Sequence, residues 1–237
     1  MRCFFCQDIP ANGETAFLDE RESNHAFRII RCREGDNVLL LDGKGCLAQS
    51  KVSNDGFLGV ERTQLSEPGL KLALFVSPPR RQIMDDMLRH LSELGCWSIS
   101  PIVTERSVSV PEGNSALNRW KTILIEGCKQ SHNPFLPEIS VPATLDAAIA
   151  TAKRLDSLFF CDSGGDNSNP FNNLPIPLNV GVFIGPEGGF SDVEKLKLKE
   201  AGAIPLWLGP WTMRTETASI AAIAILGRFY AMQDGGR

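Results

Sequence analysis

Phe183-Ile184-Gly185-Pro186-Glu187-Gly188-Gly189-Phe190-Ser191 and, further on, Leu208-Gly209-Pro210-Trp211-Thr212-Met213-Arg214-Thr215-Glu216-Thr217-Ala218-Ser219 decide how this chain folds. Each piece follows an apolar, β-type run, Asn179–Ile184 and Ile204–Leu208. Each is a Gly-Pro loop that opens into a helix-like segment. Two strand-loop-helix units in succession predict parallel strands crossed by helices, with a ligand at the C-terminal ends of the strands. Gly185, Gly188 and Gly189 can take φ > 0 and let backbone approach a ligand closely. Ser191-Asp192-Val193-Glu194 has the spacing of a capping box, with Ser191 as N-cap and Glu194 turning back to it. The loop then ends at a helix N-terminus whose free amides suit phosphate or carboxylate, or equally an adenine edge or a ribose. One such loop alone is as well explained by a tight turn and a helix cap. Neither the phosphate-loop pattern nor G-x-G-x-x-G is present.

The rest of the chain frames those loops. Its 237 residues suffice for two domains or one large one. An apolar fraction of 43% and a charged fraction of 22% describe a soluble globular protein. No apolar run reaches the roughly 18 residues of a membrane span. The start, Met1-Arg2-Cys3-Phe4-Phe5-Cys6-Gln7-Asp8, lacks the apolar core of a signal peptide. The expectation is a cytoplasmic protein, its seven scattered cysteines reduced. Cys3 and Cys6 lie in an expected first strand and read as packing residues, since no further Cys or His spacing completes a metal site. A net charge of −4 disfavours a generic nucleic-acid binder. It leaves room for an RNA enzyme with its positive charge on one face. Candidate patches are Arg28, Arg31 and Arg33, then Arg80 and Arg81, each equally readable as a solvated loop.

Residues 1–67 read as short strands with Gly-rich turns, which predicts a small barrel. Val38–Leu41 and Gly45–Val52 flank the turn Asp42-Gly43, and Phe57–Leu65 follows Asn54-Asp55-Gly56. Asn24–Arg31 is the one helix expected there. Glu67-Pro68-Gly69 is the linker, so residues 68–237 form a second domain. There Lys71–Ser77, Ile99–Val103 and Ser157–Cys161 are strands. Ile83, Met84, Met87, Leu88, Leu91 and Leu94 keep helical spacing, and Gly95 stops that helix. A helix capped by Asn114 or Ser115 runs to Gln130, and another spans Thr144–Lys153. Asp162–Leu178, rich in Gly, Asn and Pro, is a loop. Glu216–Met232 is apolar nearly all round in its first half, which predicts burial on more than one side.

The paired loops resemble the knotted SPOUT-class methyltransferases. Within that class they are similar to the RsmE-type enzymes, whose GPEGGF/L-S and LG-PRILR-TETA stretches this chain matches nearly throughout. His25-Ala26-Phe27-Arg28-Ile29-Ile30-Arg31 with Gly35-Asp36 and Asp42-Gly43, then Glu93-Leu94-Gly95, and Glu126–Ser131 with Pro137 follow the same family's pattern. The resemblance implies a SPOUT-like α/β fold, a knotted parallel sheet with helices on both faces, preceded by a small PUA-like β-barrel domain over residues 1–67 that holds RNA. It implies a trefoil knot around Gly185–Ala218, which chain physics alone would not propose. It also implies a homodimer, no metal, and S-adenosyl-L-methionine as cofactor. The implied reaction is methylation at N3 of a uridine in 16S ribosomal RNA of the small ribosomal subunit. The implied cofactor residues are Ile184, Gly185, Glu187, Gly188, Gly189, Leu208, Gly209, Met213, Thr215, Glu216, Thr217 and Ala218. Arg28, Arg31, Arg80, Arg81 and Trp211 are the implied RNA contacts. The chain departs from the family at His90, Gly127, Lys129, His132, Asn133 and Trp211; His90, Asn133 and Trp211 stand where cations are expected along the RNA face.

Methyl transfer from a sulfonium needs donor and nucleophile held at near-attack distance. Uridine N3 carries a proton, so it becomes nucleophilic only when that proton is removed or the resulting anion is stabilised. Arg214 is the catalytic candidate: a fixed cation beside the implied cofactor. Its alternative is an ion pair with Glu187 or Glu216. Glu216 and Thr217 equally suit the start of the last helix. Two other functions compete with the methyltransferase. One is a catalytically altered RNA-binding or ribosome-assembly factor that retains the SPOUT fold, suggested by the missing cations. The other is a metabolic enzyme that uses the loops for another nucleotide.

Overall fold

The structure, a computed structural model, describes residues 1–53, 56–108, 114–162, 164 and 177–233. Asn54 and Asp55, and most of the loop expected over Asp162–Leu178, therefore lie outside the described residues. The chain divides into two compact units, one of residues 1–67 with 124–136, the other of residues 68–123 with 137–237. The first cut falls at the Glu67-Pro68 linker, and residues 124–136 group with the first stretch. A helix's periodicity shows which face it buries, not which body each of its halves joins.

In the first unit, β1 (Arg2–Phe5), β2 (Thr15–Ala16), β3 (Asn37–Leu41), β4 (Cys46–Ser53) and β5 (Gly56–Gln64) form a five-stranded sheet in the order β1-β3-β4-β5-β2. Only β1 and β3 run parallel; the other pairs are antiparallel. Alternate residues of β3 and β4, Val38, Leu40, Cys46, Ala48 and Val52, join Phe4 of β1, Ala16 of β2 and Phe57 of β5 in one core. Both edges reaching one core means that the sheet curls about it. The Asp42-Gly43 turn forms as expected: Gly43 has φ 77°, and Asp42 Oδ1 accepts from the amides of Lys44 and Cys46. The expected single helix over Asn24–Arg31 is instead α1 (Glu20–Asn24) continued by a π-helix, His25–Ile29. Asp19 explains the earlier start, because its carboxylate caps α1 by accepting from Glu22 N.

The sequence gives no sign of what fastens residues 124–136 into this unit. Lys129 Nζ donates to Glu22 Oε1 at 2.8 Å and to Glu126 Oε1 at 2.9 Å, while Glu22 Oε2 accepts from Phe5 N. The Lys129 and Glu22 side chains are buried. Removing Lys129 leaves the buried Glu22 carboxylate without its cation, at a cost of about 3–5 kcal/mol. Backbone bonds from Gly45 N to Pro134 O and from Leu136 N to Gly43 O close the same join.

The second unit contains β6 (Lys71–Val76), α2 (Arg81–Glu93), β7 (Ser98–Val103), the first part of α3 (Asn114–Ser131), β8 (Glu138–Ile139), β9 (Ala143–Thr144), α4 (Leu145–Ala152), β10 (Ser157–Cys161), β11 (Asn179–Ile184), α5 (Asp192–Glu200), β12 (Ile204–Leu206) and α6 (Thr215–Gln233). Its sheet runs β12-β10-β11-β6-β7-β8, with β9 also on β7, and every described pair is parallel. The near-continuous apolar sequences of β6, β10 and β11 fit strands covered on both faces. On one face Ala73, Phe75, Phe160 and Phe183 pack with Leu145 and Ala148 of α4 and Leu198 of α5. Phe75 and Phe183 stack there at 4.5 Å between ring centroids. On the other face lie α6 and α2, the latter burying Met84, Met87, Leu88 and Leu91. Gly95, with φ 73°, ends the chain's run after α2 as expected. The side chain of Asn114, an expected cap, lies outside the description.

Helix α6 buries Ala218, Ser219, Ala222, Ile223, Leu226 and Tyr230 and leaves Ala224 and Ile225 exposed in the single chain. Within one chain it is covered on one side. All seven cysteines are free, and burial pushes the Cys3 thiol up to about 12.

Candidate cofactor and substrate site

β12, β10 and β11 are neighbours, and their C-terminal ends open on one cavity of about 180 Å³. The loop after β11 forms one wall. Gly189 N–H donates to Pro186 O at 2.8 Å, and Gly189 takes φ 67°, which closes a tight turn. Arg106 Nη1 donates to Gly188 O at 2.8 Å. The capping box forms as its spacing predicts. Glu194 N donates to Ser191 Oγ, and Ser191 N donates to Glu194 Oε2 at 2.9 Å. The other oxygen, Oε1, accepts from Glu105 N at 2.8 Å, so a buried carboxylate ties the loop to the end of β7. Positive φ does not occur at Gly185 or Gly188, which corrects the expectation for those two. A Cβ at Gly185 would lie 3.2 Å from Phe190 N, so its smallness serves the loop's own turn. A Cβ at Gly188 would meet the Arg106 side chain at 3.3 Å.

The loop after β12 forms the facing wall. The Thr215 hydroxyl, at the start of α6, donates to Gly185 O at 3.1 Å and joins the two loops. Ten of the twelve expected cofactor residues line this cavity: Ile184, Gly185, Glu187, Gly188 and Gly189 from the first loop, and Leu208, Gly209, Met213, Thr215 and Ala218 from the second. Glu216 lies elsewhere, and Thr217 is exposed and lines none of the described cavities. Trp211 is on the rim, 81% exposed.

Cys161 and Asp162, at the end of β10, also line the cavity. The sequence reading missed both because Asp162 opens a Gly- and Asn-rich segment and looks like ordinary loop. A carboxylate directly after an apolar strand that enters the same sheet was the available signal. Lys195 Nζ donates to Asp162 Oδ1 at 2.8 Å, and Gly164 N donates to the same oxygen. Burial opposes ionisation of Asp162. The Lys195 and Gly164 bonds and the nearby charges of Lys195 and Lys199 outweigh it and hold the carboxyl below its ordinary range. Burial pushes the Cys161 thiol up to about 12, so it is neutral.

A second cavity, of about 440 Å³, is lined by Pro78, Pro79 and Arg80 after β6, by Ile83 and Val108, and by Glu187, Arg214 and Glu216. Glu187 lines both cavities. Arg214 and Arg80 therefore share a hollow next to the loop cavity. Among the described residues Arg214 makes no ion pair with Glu187 or Glu216. Arg81 is exposed at the start of α2, while Arg28 and Arg31 are exposed in the first unit, Arg31 with φ 57°. Among the described residues no group of three His, Cys, Asp or Glu side chains is placed to hold a metal, and no helix is long and apolar enough to cross a membrane.

Residues 66–227 match the family described as RNA methyltransferase domain, and residues 18–60 match RNA methyltransferase PUA domain. The chain is 29% identical to "Ribosomal RNA small subunit methyltransferase E" of Aquifex aeolicus over 97% of its own length and all of that protein's. A methyltransferase of Legionella pneumophila, solved with its cofactor SAM bound, superposes with a TM-score of 0.85 at 25% identity, covering 96% of this chain and 97% of the other. The small-subunit ribosomal RNA methyltransferase E of Neisseria gonorrhoeae, bound to S-adenosyl methionine, gives 0.83 at 25% identity, over 97% and 98% of the two chains.

Proposed function

The chain belongs to the RNA methyltransferase domain family, and from that premise we propose that it is an S-adenosyl-L-methionine-dependent methyltransferase acting on N3 of a uridine in 16S ribosomal RNA of the small subunit. The observation that carries this reading is the pair of adjoining cavities. One is built from two linked Gly-Pro loops at the C-terminal ends of β12, β10 and β11; the other holds Arg214; and Glu187 lines both.

The residues fit the cofactor. Backbone of the two loops, the apolar walls Ile184, Leu208, Met213 and Ala218, and the Asp162 carboxylate suit a nucleoside that is polar but carries no phosphate. Among the described residues no lysine or arginine lines that cavity, which suits a cofactor without phosphate. When bound, the cofactor supplies a methyl group on a sulfonium centre. Arg214, in the neighbouring cavity, stabilises the negative charge on the uracil ring once N3 has given its proton to solvent water. The two loops fix the angle between the cavities, and Thr215 holds the loops together. Arg80 in the same hollow binds backbone phosphate; Arg81 and, in the first unit, Arg28 and Arg31 are further RNA contacts.

The partner is a second copy of this chain. Ala224 and Ile225 of α6 stay open in the single chain, and an apolar strip on an otherwise packed helix fits a self-complementary interface. The trefoil knot around Gly185–Ala218 and a cytoplasmic location belong to the same proposal. The altered-factor reading keeps one observation in its favour: Trp211, placed where the family has an arginine, is 81% exposed on the cavity rim. Transfer of labelled methyl from S-adenosyl-L-methionine to small-subunit particles that lack the modification separates the two. Label in one uridine, at N3, supports the enzyme. Cofactor binding without any transfer supports the altered factor.

A further inference from the structure

Asp162 has a position and a set of partners that the loops alone do not explain. β10 lies between β12 and β11, with Cys161 level with Leu206 and Phe160 level with Phe183. Carrying those registers onward puts Asp162 at the centre of the cavity floor, level with Trp207 on one side and Gly185 on the other. Its side chain is 14% exposed and lines the cavity. A carboxylate offers about four acceptor sites. Lys195 and Gly164 take two, both on Oδ1. Among the described residues Oδ2 has no partner, so about two acceptor sites remain on the side chain.

We infer that Asp162 is a specificity-determining residue that reads the ribose of the cofactor, accepting hydrogen bonds from both hydroxyls of its vicinal diol; this rests on the S-adenosyl-L-methionine reading above. The competing donor on the same cofactor is its α-ammonium group. Charge decides between them. Lys195 sits at 2.8 Å from Oδ1, so the carboxylate enters the cavity with its charge already balanced. A balanced carboxylate still accepts well from neutral hydroxyls but has little net attraction for a second cation. Lys195 is itself on α5, the helix fastened by the Ser191–Glu194 box, so the oxygen is aimed by the same element that shapes the first loop.

Calorimetry on the full chain tests this with three probes: 5′-methylthioadenosine, its 2′,3′-dideoxy counterpart, and S-adenosylhomocysteine. Asp162→Ala should weaken methylthioadenosine and S-adenosylhomocysteine by the same factor, about tenfold or more. It should leave the dideoxy compound, already weak, within about twofold, the scatter expected of sites that no longer interact. Asp162→Asn, close in shape and retaining one acceptor oxygen, should fall between wild type and Asp162→Ala; it also serves if the alanine variant does not fold. An equal loss for the dideoxy compound would make Asp162 a packing residue and overturn the inference. A loss for S-adenosylhomocysteine with none for methylthioadenosine would assign Asp162 to the ammonium group instead. Wild-type affinity in both variants for every probe also overturns it. If the wild-type chain binds none of the three, the cofactor reading itself fails and takes this inference with it.

Discussion

The two Gly-Pro loops share a sequence form and differ in how they are held. The loop after β11 is bound along its length. Pro186 and Gly189 close a turn, Arg106 grips Gly188 O, and the buried Glu194 satisfies the amides of both Ser191 and Glu105. The loop after β12 is tied to the first loop, among the described residues, by Thr215 to Gly185 O, and it presents Trp211 and Arg214 to the outside. The same Gly-Pro signature thus marks a fixed wall in one case and a platform for side chains in the other. What separates them is the side-chain chemistry that follows, Ser-x-x-Glu against Arg-Thr-Glu.

If that contrast is right, changes in the first loop should act through stability and changes in the second through chemistry or RNA contact. Glu194→Ala should have the largest effect. It strands two amides held at 2.8 and 2.9 Å, and should cost about 4 kcal/mol in urea unfolding at about 1–3 kcal/mol per unsatisfied group. A change below about 1 kcal/mol would mean that the first loop does not depend on its clamp. Arg214→Ala is the counterpart. Methylation should fall about 100-fold, with melting temperature and cofactor affinity unchanged. Normal turnover would move the chemistry elsewhere, and a lost melting temperature would erase the contrast between the loops. Gly189→Ala should cost about 1–2 kcal/mol, because φ 67° is a left-handed conformation while nothing lies within 4 Å of the added Cβ. No loss at all would show that this turn relaxes easily. Trp211→Arg should have the smallest effect. RNA binding should gain about one unit of log–log salt slope with cofactor affinity intact. An unchanged slope would place Trp211 away from phosphate.

Short-range features were legible. The Ser191–Glu194 box, the Asp42-Gly43 turn and the Gly95 stop each rest on residues a few positions apart, and each has the expected geometry. The parallel sheet followed from alternating apolar runs and helical spacing. Features joining distant residues were not. Glu105 and Glu194 meet across 89 positions and Lys129 and Glu22 across 107, and nothing local in either partner announces the other. Asp162 failed to register for the same reason: its meaning comes from the strand beside it. The π-helix at His25–Ile29 was read as α because one additional residue per turn hardly changes an apolar pattern over five positions.

The sheet order also sets a schedule for synthesis. β11 is inserted between β6 and β10, both of which leave the ribosome before it. Until residues 179–184 emerge, β6 can pair only with β7, and its other edge offers free amides and carbonyls along a strand as apolar as Leu-Ala-Leu-Phe-Val. An open apolar edge of that kind invites pairing with other chains. Products that stop before residue 179 are therefore expected to aggregate, and the nascent chain is most exposed in the interval when β11 is missing while β6 and β10, the strands it joins, are already made.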